Sequence, residues 1–143
     1  MIIVDANLLL YAYDASSQFH RSARSWLEAQ LSGSGPVGLP WAVTLAFLRI
    51  ATNPRAMTHP LTVDEATEIV SSWLELLSVA IPGPGTGHWE ILARLLSTSQ
   101  ARGPLASDAH LAALALEHGA LLATTDRDFT RFDGLRVLDP LRG

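Results

Sequence analysis

The chain has 143 residues, 48% of them hydrophobic and 17% charged, and no cysteine; that is enough apolar material for one core of ordinary domain size but not for two. All ten basic residues are arginines and the net charge is −4. This excludes lysine and thiolate chemistry and argues against nonspecific electrostatic binding of nucleic acid. The longest apolar runs, Leu8 to Ala12 and Leu111 to Leu116, fall short of the ~20 residues of a membrane span, and no basic segment precedes the apolar start. A cytoplasmic protein without a membrane partner is expected.

In chain order, Ile2-Ile3-Val4 reads as a buried strand ending at Asp5, and Ala6 to Tyr13 as a helix. Phe19, Ala23, Trp26, Leu27 and Leu31 recur at helical spacing, predicting an amphipathic helix over 19–31 that Ser32-Gly33-Ser34-Gly35-Pro36 stops. Val37-Gly38-Leu39 is a short strand. Pro40 suits the first turn of a helix carrying Trp41, Leu45, Phe47, Leu48 and Ile50, which Asn53-Pro54 ends. Thr62 with Glu65 has the capping-box spacing, and Ala66, Ile69, Val70, Trp73, Leu74 and Leu77 form the expected buried stripe of the helix that follows.

Val79-Ala80-Ile81 is another short strand, and Trp89, Leu92, Leu95 and Leu96 mark a further helix. Ser107 is placed as the cap of a well-covered helix running from Asp108 to His118, with Gly119 where a C-terminal cap belongs. Leu121-Leu122-Ala123 is a strand running into Thr124-Thr125-Asp126, and Leu135 to Leu138 a final edge strand. Trp41, Trp73, Trp89 and Phe47 lie on apolar helix faces and are expected in the core.

Short strands without alternation, separated by helices, imply an α/β fold with a mostly parallel sheet covered on both faces, one domain over 1–143. Ligands of such sheets collect outside the carboxyl ends of the strands. Asp5 and Asp126 end their strands, so a parallel sheet brings both to one edge, with Asp108 and Asp128 as companions. Taken singly, each has a structural reading: Asp5 an N-cap, Asp108 an acid favoured by a helix dipole, Asp126 and Asp128 parts of a turn. Together, carboxylates about 4 Å apart repel by roughly 4 kcal/mol at an effective dielectric near 20, a cost that a divalent cation removes. Oxygen ligands without cysteine point to Mg²⁺ or Mn²⁺.

Asn7 is positioned to orient a carboxylate or a water, and Thr124 and Thr125 to add hydroxyls, Thr125 being the one carried as an auxiliary candidate. Arg49 is a candidate phosphate-binding residue; Arg127 and Arg131 flank Asp128 and are expected to be solvated surface groups. His110, two residues from Asp108, does not share its helix face, and no spacing singles out His20, His59, His88 or His118.

The segments MIIVDANLLLYAYD, LPWAVTLAFLRIATNPR, SDAHLAALALEHGALLATTDRDF and FDGLRVLDP resemble a PIN-domain toxin of the VapC type over nearly the whole chain. The resemblance implies a three-layer α/β/α sandwich with a mostly parallel sheet of four to five strands. It also implies a Mg²⁺- or Mn²⁺-dependent endoribonuclease, the toxin of a bacterial type II toxin–antitoxin pair. Its metal and catalytic positions match Asp5, Asp108 and Asp126, with Asp128 as a fourth metal ligand. Its implied partners are a VapB-type antitoxin, an RNA substrate and a second copy of the chain. In one departure, the position where many members carry a glutamate is Ala46, leaving Thr44 or a water as a neutral filler.

The competing reading is a catalytically weakened PIN-fold protein acting by antitoxin or RNA binding. Receiver-domain and haloacid-dehalogenase readings each need a lysine that this chain lacks.

Overall fold

The computed structural model describes residues 1–142, so the last position of the expected 1–143 unit lies outside the described residues. Its elements are β1 (Ile2–Val4), α1 (Ala6–Tyr13), α2 (His20–Leu31), β2 (Val37–Gly38), α3 (Trp41–Ala51), α4 (Val63–Leu74), β3 (Val79–Ala80), α5 (His88–Ser99), α6 (Leu105–Glu117), β4 (Leu121–Ala123), a 3₁₀ helix (Arg127–Arg131) and β5 (Val137–Leu138). The strands form one sheet in the order β3-β2-β1-β4-β5, every pairing parallel.

The chain leaves β1 toward β2 and β3, then returns past β1 to reach β4 and β5. Right-handed crossovers place the helices of these two excursions on opposite faces. Helices α1 to α4 accordingly pack on one another, and α5 packs on α6. The excursions diverge between β1 and β4, the switch point at which parallel sheets open a crevice.

Ile3, Val4, Leu122 and Ala123 are fully buried between the layers, with Leu8, Leu27, Phe47, Trp73, Leu95 and Leu114 packed around them. Close packing explains Gly38 in β2, where a Cβ would sit 2.9 Å from Ile3 Cγ1 and 3.0 Å from Met1 Sδ.

The expected caps are present where they depend on local spacing. Thr62 accepts from Glu65 N–H at 3.0 Å while the Glu65 carboxylate accepts from Thr62 N–H at 3.0 Å, and Gly119 takes the left-handed conformation (φ 60°) just past the end of α6. Four expectations fail. Helix α4 ends at Leu74, so Leu77 stands in solvent instead of extending the buried stripe. Trp41 and Trp89 are 55% and 69% exposed, because helical periodicity identifies an apolar face without supplying anything to cover it. Helix α6 begins at Leu105 after Pro104, so Ser107 lies inside the first turn and is not the cap. Strands β2, β3 and β5 are two residues each, leaving out Leu39, Ile81, Leu135 and Arg136.

Candidate metal centre at the carboxyl edge of the sheet

Asp5 follows β1 directly. The register pairs Val4 with Ala123, so Asp5 lies beside Thr124, the first residue past β4. The Thr124 hydroxyl donates to Asp5 Oδ2 at 2.7 Å, and Ala6 N–H donates to Asp5 Oδ1 at 2.8 Å. The same threonine oxygen accepts from Asp126 N–H at 3.0 Å, tying the two strand ends together. Asp126 caps the 3₁₀ helix, its Oδ1 accepting from Asp128 N–H at 2.9 Å. Asp108 enters from the opposite layer, in the first turn of α6.

Carboxylate oxygens of Asp108, Asp126 and Asp128 all lie within 4.8 Å of one another. Asp5 and Asp108 line one cavity of about 290 Å³ with Ala42, Ala46, Arg49 and Ser107. Burial pushes the Asp108 carboxyl up to about 6, with the charges of Asp126, Asp5 and Asp128 adding to the rise and Arg131 opposing it. Burial likewise raises Asp5, against the hydrogen bonds from Thr124 and Ala6, with Asp126 adding a smaller push. Crowded carboxylates held partly desolvated are electrostatically short of positive charge.

All four aspartates singled out in the sequence thus reach one edge, and Asp128 belongs to the tight group. Arg49, in the last turn of α3, lines the cavity. Ala46 stands on the cavity wall, where the resemblance led one to expect a glutamate. Thr44 does not fill that place: its side chain is buried and its hydroxyl finds no hydrogen-bond partner among the described residues. Asn7 Oδ1 is buried and unpartnered in the same sense, so Asp5 is oriented by Thr124 and Ala6 instead.

Thr125 does not line this cavity but a second one, which it shares with Thr124, Asp126, Val137, Asp139 and Arg142. Successive residues of an extended segment point to opposite sides, so of the two threonines Thr124 is the one that meets Asp5. Arg131, expected to be a solvated surface group, is exposed, and its Nη2 stands 3.7 Å from Oδ1 of the likewise exposed Asp128.

A second polar constellation lies between α5 and α6, and no spacing in the sequence marked it. The carboxylate of Glu117 can only accept, so His88 Nδ1–H donates to Glu117 Oε1 at 3.2 Å. His88 Nε2 is left to pair with His110 Nδ1 at 2.9 Å. Glu117 Oε2 accepts from Gly85 N–H at 2.8 Å. Burial lowers the His110 pKa, with His88 adding to the effect.

The PIN domain family description matches residues 2–135. The chain belongs to the PIN-domain family. This PIN protein is 43% identical to Ribonuclease VapC37 of Mycobacterium tuberculosis, over 98% of this chain and 97% of that one. It is 36% identical to Ribonuclease VapC48 of the same species, over 97% of each. Among solved structures it resembles VapBC-1 from nontypeable Haemophilus influenzae (TM-score 0.70, 17% identity, 98% of each chain). It also resembles VapC20 of M. tuberculosis, described as a sarcin-ricin loop cleaving toxin (TM-score 0.68, 19% identity, 95% of this chain and 99% of that one). At these identities the structural likeness speaks for the PIN fold, a five-stranded parallel sheet between helical layers.

Proposed function

We propose that this PIN protein is a Mg²⁺- or Mn²⁺-dependent endoribonuclease, the toxin of a type II toxin–antitoxin pair, acting in the cytoplasm as one unit over residues 1–143. Its partners on this reading are a VapB-type antitoxin, an RNA substrate and a second copy of the chain. The relatives named as ribonucleases support the activity, and the VapBC complexes among its structural neighbours support the partners. The observation that carries the reading is the meeting of Asp108, Asp126 and Asp128 oxygens within 4.8 Å at the switch point, next to Asp5.

The donor set fits a hard divalent cation, being carboxylate oxygen throughout and short of positive charge. Asp5, Asp108, Asp126 and Asp128 would hold it. Bound there, such a cation supplies Lewis acidity toward a phosphoryl oxygen and lowers the pKa of water at neutral pH. The chain's own work is positional. Thr124 and the Ala6 amide fix the Asp5 carboxylate, Asp126 anchors the 3₁₀ helix that carries Asp128, and Arg49 on the cavity wall is placed to bind a neighbouring phosphate. No side chain acts as a covalent nucleophile.

The direct test is incubation of purified protein with an RNA pool, with and without Mn²⁺ or chelator, followed by mapping of ends. Cuts that require Mn²⁺ and leave 5′-phosphate and 3′-hydroxyl ends are expected, and an unchanged pool would end this reading. Ala46 favours a second one, in which the chain binds RNA or antitoxin with little catalysis. Calorimetry with Mn²⁺ separates them, because a degenerate site gives the same absence of specific heat in the parent and in Asp5→Asn.

A further inference from the structure

The cavity that Asp5 and Asp108 share lies between two helices. On the α3 side Ala42, Ala46 and Arg49 follow at i, i+4 and i+7, and on the α6 side Ser107 and Asp108 stand one turn before Leu111, so each set occupies one helix face. Val43 and Leu111 are buried and form its floor, and Pro104 adds to the wall. Most of the lining is therefore apolar, although the cavity opens beside the carboxylates.

Its polar groups divide by role. Asp5 and Asp108 carry the charge that a divalent cation offsets, and Arg49 faces a phosphate. Ser107 remains, with a hydroxyl that both donates and accepts and a backbone N–H already bonded to the Pro104 carbonyl at 3.2 Å.

Charge and size decide what fits the rest of the space. A further phosphate would lie against two carboxylates and give up water to an apolar wall, both of which are costly. A nucleobase is neutral, has apolar faces for the wall and keeps polar edges for a hydroxyl. The volume of about 290 Å³ is at the small end of ligand pockets, which run from roughly 300 to 1,000 Å³. It suits one nucleoside and not a paired stem.

We propose that this cavity is the base subsite of the nuclease, taking one unpaired base of an RNA nucleotide joined to the scissile phosphate, and that Ser107 reads the edge of that base. RNA sequence is read mostly from unpaired bases, and a cavity walled by cation ligands receives the base nearest the cut. The inference rests on the nuclease reading and adds to it a source of sequence preference.

The test compares the parent with Ala46→Leu, which fills the cavity, Ser107→Ala, which removes the hydroxyl, and Ala106→Leu, an equal enlargement at an exposed neighbour outside the cavity lining. Circular dichroism checks the folds, and calorimetry of Mn²⁺ without RNA should agree within about twofold for all four proteins, since no carboxylate has changed. Ends mapped from a random RNA pool at saturating Mn²⁺ should show a base preference at one nucleotide flanking the parent's cut. Ala46→Leu should flatten that preference and raise KM by about tenfold, the scale of losing one stacked base. Ser107→Ala should weaken the preference by about three- to tenfold, as loss of one hydrogen bond does, and Ala106→Leu should match the parent. Anisotropy with short single-stranded homo-oligomers of each base, in Ca²⁺ and with the oligomers intact afterwards, should show the same ranking of bases and the same losses.

A parent with no base preference in either measurement overturns the proposal, as does a preference that survives in both Ala46→Leu and Ser107→Ala. If Ala46→Leu also loses Mn²⁺ binding, Ser107→Ala decides alone. A parent that binds RNA with a preference dependent on Ser107 but cuts none removes the nuclease reading and leaves the base subsite standing; a parent that binds no RNA overturns both.

Discussion

Two groups of ionisable side chains meet in this protein, and they are built on opposite principles. The relay of Glu117, His88 and His110 closes on itself: both carboxylate oxygens accept, both nitrogens of His88 are used, and the side chains of His88 and Glu117 are 11% and 16% exposed. The aspartates at the sheet edge do the reverse, standing within 4.8 Å of one another with like charge and raising the Asp108 carboxyl to about 6. A satisfied network stabilises the fold where it stands. An unsatisfied one costs stability and signals a ligand that completes it.

This contrast predicts a double dissociation, in which edge variants lose activity at little cost to the fold and relay variants do the opposite. The largest effect is expected from Asp5→Asn, which should lower Mn²⁺-dependent RNA cleavage by at least about 1000-fold, as removal of an essential group does, with thermal unfolding unchanged or shifted upward. Parental cleavage by that variant would remove the aspartates from the mechanism. His88→Ala should instead cost about 2 kcal/mol, or roughly thirtyfold in the folding equilibrium, by stranding a partly buried carboxylate and an imidazole. Its kcat on RNA should equal the parent's, and a matched loss of both would dissolve the distinction.

Smaller effects sharpen the edge cluster. Ala46→Glu should tighten Mn²⁺ binding by about tenfold, since another carboxylate joins the cavity wall, while destabilising the metal-free protein by like-charge repulsion; calorimetry and urea unfolding read the two signs. For pH, Asp108 holds its proton more tightly in the folded chain (about 6) than its ordinary value of 3.8 implies. Stability from this group is therefore present at low pH and lost as pH rises through that interval. Binding of Mn²⁺ requires the deprotonated form, so its affinity should fall by about tenfold per pH unit below roughly 6. Flat Mn²⁺ affinity from about one pH unit below that value to about one above it would detach Asp108 from the metal. Thr62→Ala, in the cap of α4 far from either network, should cost only about 1 kcal/mol and leave cleavage untouched.

Features that depend on a few neighbouring residues could be read directly from the chain. The capping box of Thr62 and Glu65, the left-handed Gly119 and the strand ending at Asp5 are of this kind, because each is set by contacts within one turn or one strand. A parallel α/β order then carried Asp5 and Asp126 to the same edge. Misplaced features were those whose environment comes from elsewhere in the chain. Trp41 and Trp89 have helical spacing but no covering layer, and Leu77 continues a stripe whose helix has already ended.

The sequence by itself determined the sheet, the edge at which the aspartates gather and the absence of a carboxylate at Ala46, because strand ends and helix periodicity are local properties. Only the tertiary structure decided which groups touch. The β1–β4 register placed Thr124 rather than Thr125 against Asp5, the turn after β4 brought Asp126 and Asp128 together with Asp108, and the packing of α5 on α6 joined His88 to residues 22 and 29 positions away. Hydrogen bonds and charge pairs act over a few ångströms, and distances of that size between remote segments are set by packing of the whole core.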